Sequence, residues 1–105
     1  MAITNIIQGS ALTVGATPQK LFTTNTANRT AYRVYNPKAS TVSVMVLALP
    51  ANSPSPNQAT VLADADFCIA PGTTIEDQIS NAFDLWIVSE SATTAVVRGK
   101  EIIGA

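Results

Sequence analysis

The chain has 105 residues, a formal net charge of −1, and 12% charged residues, against about 25% in an ordinary soluble domain. That length makes one domain spanning residues 1–105 with a modest core. Its six Lys and Arg are too scattered for a nucleic-acid stripe, its 47% apolar content argues against disorder, and the single Cys68 excludes a disulfide scaffold.

No apolar run approaches the roughly 20 residues needed to cross a bilayer. The stretch from Met1 to Gly15 carries no Lys or Arg, so a signal-peptide start is not expected, and folding in a cytoplasm is. In place of charge the chain carries 13 Thr, 8 Ser, 7 Asn, 4 Gln and 16 Ala. A surface of that kind is weakly protected against association. It suits a protein whose surface is covered by neighbours.

Helical periodicity is hard to find, whereas period-2 alternation and β-branched residues run throughout. Ala2–Ile7 reads as a strand or an extended arm within residues 1–10, ended by Gly9 and Ser10. Ala11–Val14 is a short strand, Gly15–Pro18 a turn, Lys20–Thr24 a strand and Asn25–Asn28 a polar loop. Thr30–Tyr35 predicts a strand with Tyr32 and Val34 on one face and Ala31, Arg33 and Tyr35 on the other. An Asn36-Pro37 turn leads to Thr41–Leu49, a strand expected to be central and to form a hairpin with its predecessor. Residues 50–59 hold three of the six prolines and read as an exposed Pro-rich loop. Val61 and Leu62 resume as a strand, followed by Phe67–Ala70. Ala70-Pro71-Gly72-Thr73 is a type II turn signature. Thr74–Gln78, Asp84–Ser89 and Thr94–Ile103 are the closing strands. Eight or nine short strands punctuated by turns predict an all-β fold, a single antiparallel β-sandwich of jelly-roll or immunoglobulin-like topology.

The residues offer little chemistry. Without histidine there is no Ser-His or Cys-His pair, and no enzyme is expected. Cys68, between Phe67 and Ile69, reads as a buried strand residue. Asp64, Asp66, Glu76 and Asp77 could hold calcium, but their spacing matches no calcium loop, so solvated turns are expected and no metal or cofactor is assigned. The five glycines are too far apart for a phosphate loop. Trp86 reads as core rather than as a sugar-stacking platform. Arg29, Arg33 and Lys38 gather around the first predicted hairpin as a patch for an acidic partner. Ile3, Ile6 and Ile7 make the N-terminal segment a candidate docking arm, able to add a strand to a neighbour's sheet.

Two stretches carry a resemblance, YRVYNPKASTVSVMV and IAPGTTIEDQISNAFDLWIVSESATTAVVRGKEI. Over residues 30–102 the chain resembles the small β-sandwich virion proteins of tailed bacteriophages. The resemblance implies a structural protein of the virion, assembled in the host cytoplasm. Its expected role is capsid decoration, with the major capsid protein or another virion protein as partner and a homo-oligomer, a trimer foremost, as its state. A head-fibre base, a tail part or a head-tail adaptor is the alternative, and a carbohydrate-binding module using Trp86, Tyr32 or Tyr35 a further one. Neither nucleic acid nor membrane is an expected partner.

Overall fold

A computed structural model of the chain describes residues 4–23 and 27–104, with the backbone alone for residues 4–10 and 104. The elements run β1 (Thr4–Val14), β2 (Gln19–Lys20), β3 (Arg29–Asn36), β4 (Val44–Pro50), α1 (Gln58–Asp64), β5 (Phe67–Ile69), β6 (Thr73–Gln78), β7 (Phe83–Ser89) and β8 (Ala95–Gly104). Eight strands form two four-stranded sheets, ordered β1-β8-β3-β6 and β2-β7-β4-β5. Every pairing is antiparallel.

The order identifies the topology. The pairs β1·β8, β2·β7, β3·β6 and β4·β5 nest inside one another, as in one long hairpin with its tip between β4 and β5. Rolled up, that hairpin leaves alternate pairs in opposite sheets, which is a jelly roll. An immunoglobulin-like domain would put its first, second, fourth and fifth strands in one sheet. The exposed area, 5621 Å², is what mass scaling gives for a folded chain of 11.0 kDa.

Alternation along the strands supplies the core. Val34 and Tyr32 of β3, Val97 of β8 and Val14 of β1 meet Val44 and Val46 of β4 and Leu85 and Ile87 of β7. Each of these eight side chains is at most 1% exposed. At about 1.5–3 kcal/mol per fully buried aliphatic or aromatic side chain, this is the main stabilising term. Gly99 of β8 leaves room for the β2–β3 connection, since an added Cβ would lie 3.0 Å from Leu21 Cδ1.

Four local expectations change. First, β3 and β4 are not a hairpin, because they belong to different sheets. The segment between them arches across the sandwich. β7 and β8 are joined by a similar arch. Two adjacent strands look alike in sequence whether they pair or arch. Second, residues 61–62 are helical. Asn57 caps α1, its side chain accepting from the Thr60 N–H at 2.8 Å, a cap that contributes about 1 kcal/mol. The helix presents Val61 to Leu47 and Val88 on the outer face of the second sheet. It therefore covers β4, which is central as expected. Third, the 50–59 loop is shorter than predicted, because Pro50 ends β4 opposite Phe83 and Gln58 and Ala59 belong to α1. Fourth, from Thr4 onward the N-terminal segment is an edge strand. Its backbone pairs with β8, and the Gly-Ser step lies at a bulge between Gln8 and Ala11. Such an irregularity interrupts the ladder without ending the strand.

Candidate functional site

The outer face of the first sheet is built by register. On β3, Arg33 and Tyr35 point away from the core; on β8, Val96 and Arg98 do so too, with Lys100 half-buried beside them. Antiparallel pairing sets Arg33 opposite Lys100 and Tyr35 opposite Arg98. Directly opposed residues have Cβ atoms about 4.5–5.5 Å apart. Three of the six cations in the chain thus share one small area.

Only one carboxylate answers them from the next strand. Glu76 of β6 lies opposite Arg33, and its Oε1 accepts from Arg33 Nε at 3.0 Å and Nη2 at 2.7 Å. The two side chains are 39% and 50% exposed, so the pair contributes at most about 1 kcal/mol. Its larger effect is to fix the guanidinium in place. Among the described residues, no ion pair joins Arg98 or Lys100 to a carboxylate.

Next to these cations lies a groove of about 470 Å³. Its floor is Tyr35, Val96 and Arg98, and its walls are the 37–41 arch and Thr94. The large apolar side chains exposed among the described residues are Tyr35, Leu62, Phe83 and Val96, so two of the four face this one groove. The walls are tied down. Buried Asn36 donates through Nδ2 to the Val42 and Ile69 carbonyls at 3.0 and 2.9 Å. Glu90 Oε1 accepts from the Ser43 N–H at 2.8 Å, and the Glu90 N–H donates to the Ser43 carbonyl at 3.1 Å. One arch is thereby held to the other. The site is open, apolar at Tyr35 and Val96, and cationic at Arg98.

The residues expected to bind a partner separate. Arg33 lies on this face, and Lys38 is exposed in the arch with its stem over Gly72. Arg29 does not join them: it is 2% exposed. Its Nη1 lies 3.3 Å from Glu101 Oε2, and its Nη2 donates to the Ser80 and Phe83 carbonyls at 2.7 Å each. A bulge between Arg29 and Ala31 breaks the alternation and turns Arg29 inward, which a simple strand count misses. Ile3 lies outside the described residues. Ile6 and Ile7 sit in β1, where their backbone pairs with Ile102 and Glu101 of this same chain. Arg98 and Lys100 were missed as partners of Arg33, although their alternation in a long strand was visible. Only the β3·β8 pairing brings them together.

Other candidates resolve differently. Trp86 is 6% exposed and Tyr32 1%, so both are core residues. Burial raises the Tyr32 phenol above its ordinary range, reinforced by the Asp77 and then the Asp66 carboxylates. Cys68 is exposed, contrary to expectation, because it projects from the outward side of a three-residue edge strand. Among the described residues no three Cys, Asp or Glu side chains converge on a metal position. Glu76 is engaged with Arg33, while Asp77, the next residue along the strand, points to the other face of the sheet.

No protein-family model matches the chain, and no curated protein matches it significantly. The fold and this face therefore carry the functional reading. The fold alone cannot, since jelly rolls serve capsids, lectins and cupins alike.

Proposed function

We propose that the chain is a non-enzymatic structural protein of a tailed-phage virion, a decoration protein that docks on the head shell through the outer face of its first sheet. The observation that carries this reading is a concentrated cationic and apolar face on a surface otherwise poor in charge. Arg98 and Lys100 supply attraction, and Tyr35 and Val96 supply apolar contact area. Each such contact is weak, and repetition over a symmetric shell multiplies it. Self-association into a trimer would add further valency, and the charge-poor surface supports it.

The alternative jobs within a virion, a fibre base or a head-tail adaptor, need far fewer copies. The carbohydrate-binding reading has less support, because of its candidate aromatics Trp86, Tyr32 and Tyr35 only Tyr35 is exposed. The test is quantitative mass spectrometry of particles purified from cells that carry the gene. Decoration predicts a copy number that scales with the symmetry positions of the shell. A dozen copies or fewer would favour the adaptor, and no copies would refute a virion role.

A further inference from the structure

Val96, Arg98 and Lys100 stand at alternate positions of β8. Strand geometry spaces them about 7 Å apart in a line. The line reads apolar, cationic, cationic. It is flanked on β3 by Tyr35 beside Arg98 and by Arg33 beside Lys100. Its apolar end is the floor of the groove, walled by the 37–41 arch and Thr94. Among the described residues no ion pair joins Arg98 or Lys100 to a carboxylate, and Glu76 is engaged by Arg33.

An extended peptide has the same repeat, since its alternate side chains also project about 7 Å apart on one side. We propose that this face binds an extended acidic segment of a partner protein, with an apolar residue followed at two-residue steps by two carboxylates. The apolar side chain seats in the groove against Tyr35 and Val96. The two carboxylates meet Arg98 and Lys100. Arg33, held by Glu76, borders the second carboxylate and disfavours any cation there. The two-residue step requires an extended segment, because residues two apart on a helix point to nearly opposite sides. Charge complementarity supports the choice of occupant: the face is positive in a chain whose net charge is −1. This inference rests on the docking reading above and names the chemistry of the docked segment.

The experiment uses the whole chain and a fluorescent nonapeptide containing Val-Thr-Glu-Thr-Glu. Two peptides act as controls, one with both glutamates replaced by glutamine and one with the glutamates adjacent. Anisotropy gives affinity, and amide chemical shifts locate the site. The expected result is saturable binding that shifts the amides of Tyr35, Val96, Arg98 and Lys100. Affinity should fall about tenfold or more with the glutamine peptide and with the Arg98→Gln/Lys100→Gln variant. It should also weaken with salt. Equal binding of the alternating and adjacent acids would overturn the proposal, as would shifts elsewhere on the molecule. So would tighter binding of an acidic oligosaccharide, oligogalacturonate, at the same face. If the Arg98→Gln/Lys100→Gln variant, folded by its melting curve, coats heads at full occupancy, this inference and the assignment of the docking face fall while the decoration role stands. If the peptide binds as expected but particles contain no copies of the chain, decoration falls and the peptide site stands.

Discussion

Arg29→Ala is the substitution whose cost the structure defines most sharply. The Arg29 side chain is 0% exposed and that of Glu101 7%. Removing the guanidinium deletes the ion pair to the largely buried Glu101 carboxylate. It also strips the Ser80 and Phe83 carbonyls of donors at 2.7 Å. Breaking a buried pair from one side costs about 3–5 kcal/mol, a large part of the 5–15 kcal/mol that about spans domain stabilities. For a chain of this size, that lowers Tm by about 12 °C or more. Urea unfolding followed by Trp86 fluorescence measures it, since Trp86 is only 6% exposed. The Arg29→Met/Glu101→Leu double variant should recover part of the loss, because no charge is left unpaired. Arg29→Ala within about 1 kcal/mol of the parent would refute the assignment of Arg29 as a structural clamp.

Gly72 has φ +82° in the turn where the Thr73 N–H donates to the Ala70 carbonyl at 3.1 Å. Gly72→Ala should cost about 1–2 kcal/mol, read from urea midpoints; unchanged stability would contradict the left-handed turn. Tyr32 keeps its proton above its ordinary range in the folded state, whereas the unfolded chain loses it near pH 10. Above that pH the unfolded state binds fewer protons, so stability falls by up to about 1.4 kcal/mol per pH unit. Urea midpoints from pH 8 to 11 should show the fall, and Tyr32→Phe should lack this part of it; identical slopes would count against a buried phenol. Exposed Cys68 should react with a thiol reagent in native buffer at the rate of an accessible thiol. Reaction only on unfolding would place it in the core.

The all-β class was legible because alternation survives wherever one face is buried. Parity set Tyr32 and Val34 on one face of their strand and Arg33 and Tyr35 on the other, and it is the Tyr32–Val34 face that is fully buried. The turn at Gly72 was legible because Pro then Gly presets its dihedrals. Strand partnership was not legible. Whether Asn36-Pro37 makes a hairpin or an arch depends on β8 and β6 competing for β3, which is a long-range matter. The helix was overlooked because seven residues are too few for periodicity to decide, although Asn57 was a visible cap. Arg33 and Lys38 were grouped by proximity in sequence, and the structure puts Arg33 on the candidate face and Lys38 in the arch. Arg98 and Lys100 needed the β3·β8 register, and Arg29 was lost to a bulge.

The measurement that tests the central claim most directly is binding of the purified chain to phage heads that lack it, followed by imaging of the coated shell. The account predicts regular density at the symmetry positions, with the outer face of β1-β8-β3-β6 toward the shell and Arg98 and Lys100 at the contact. Heads that stay bare at saturating protein, or density that meets the shell through α1 and the second sheet, would contradict it.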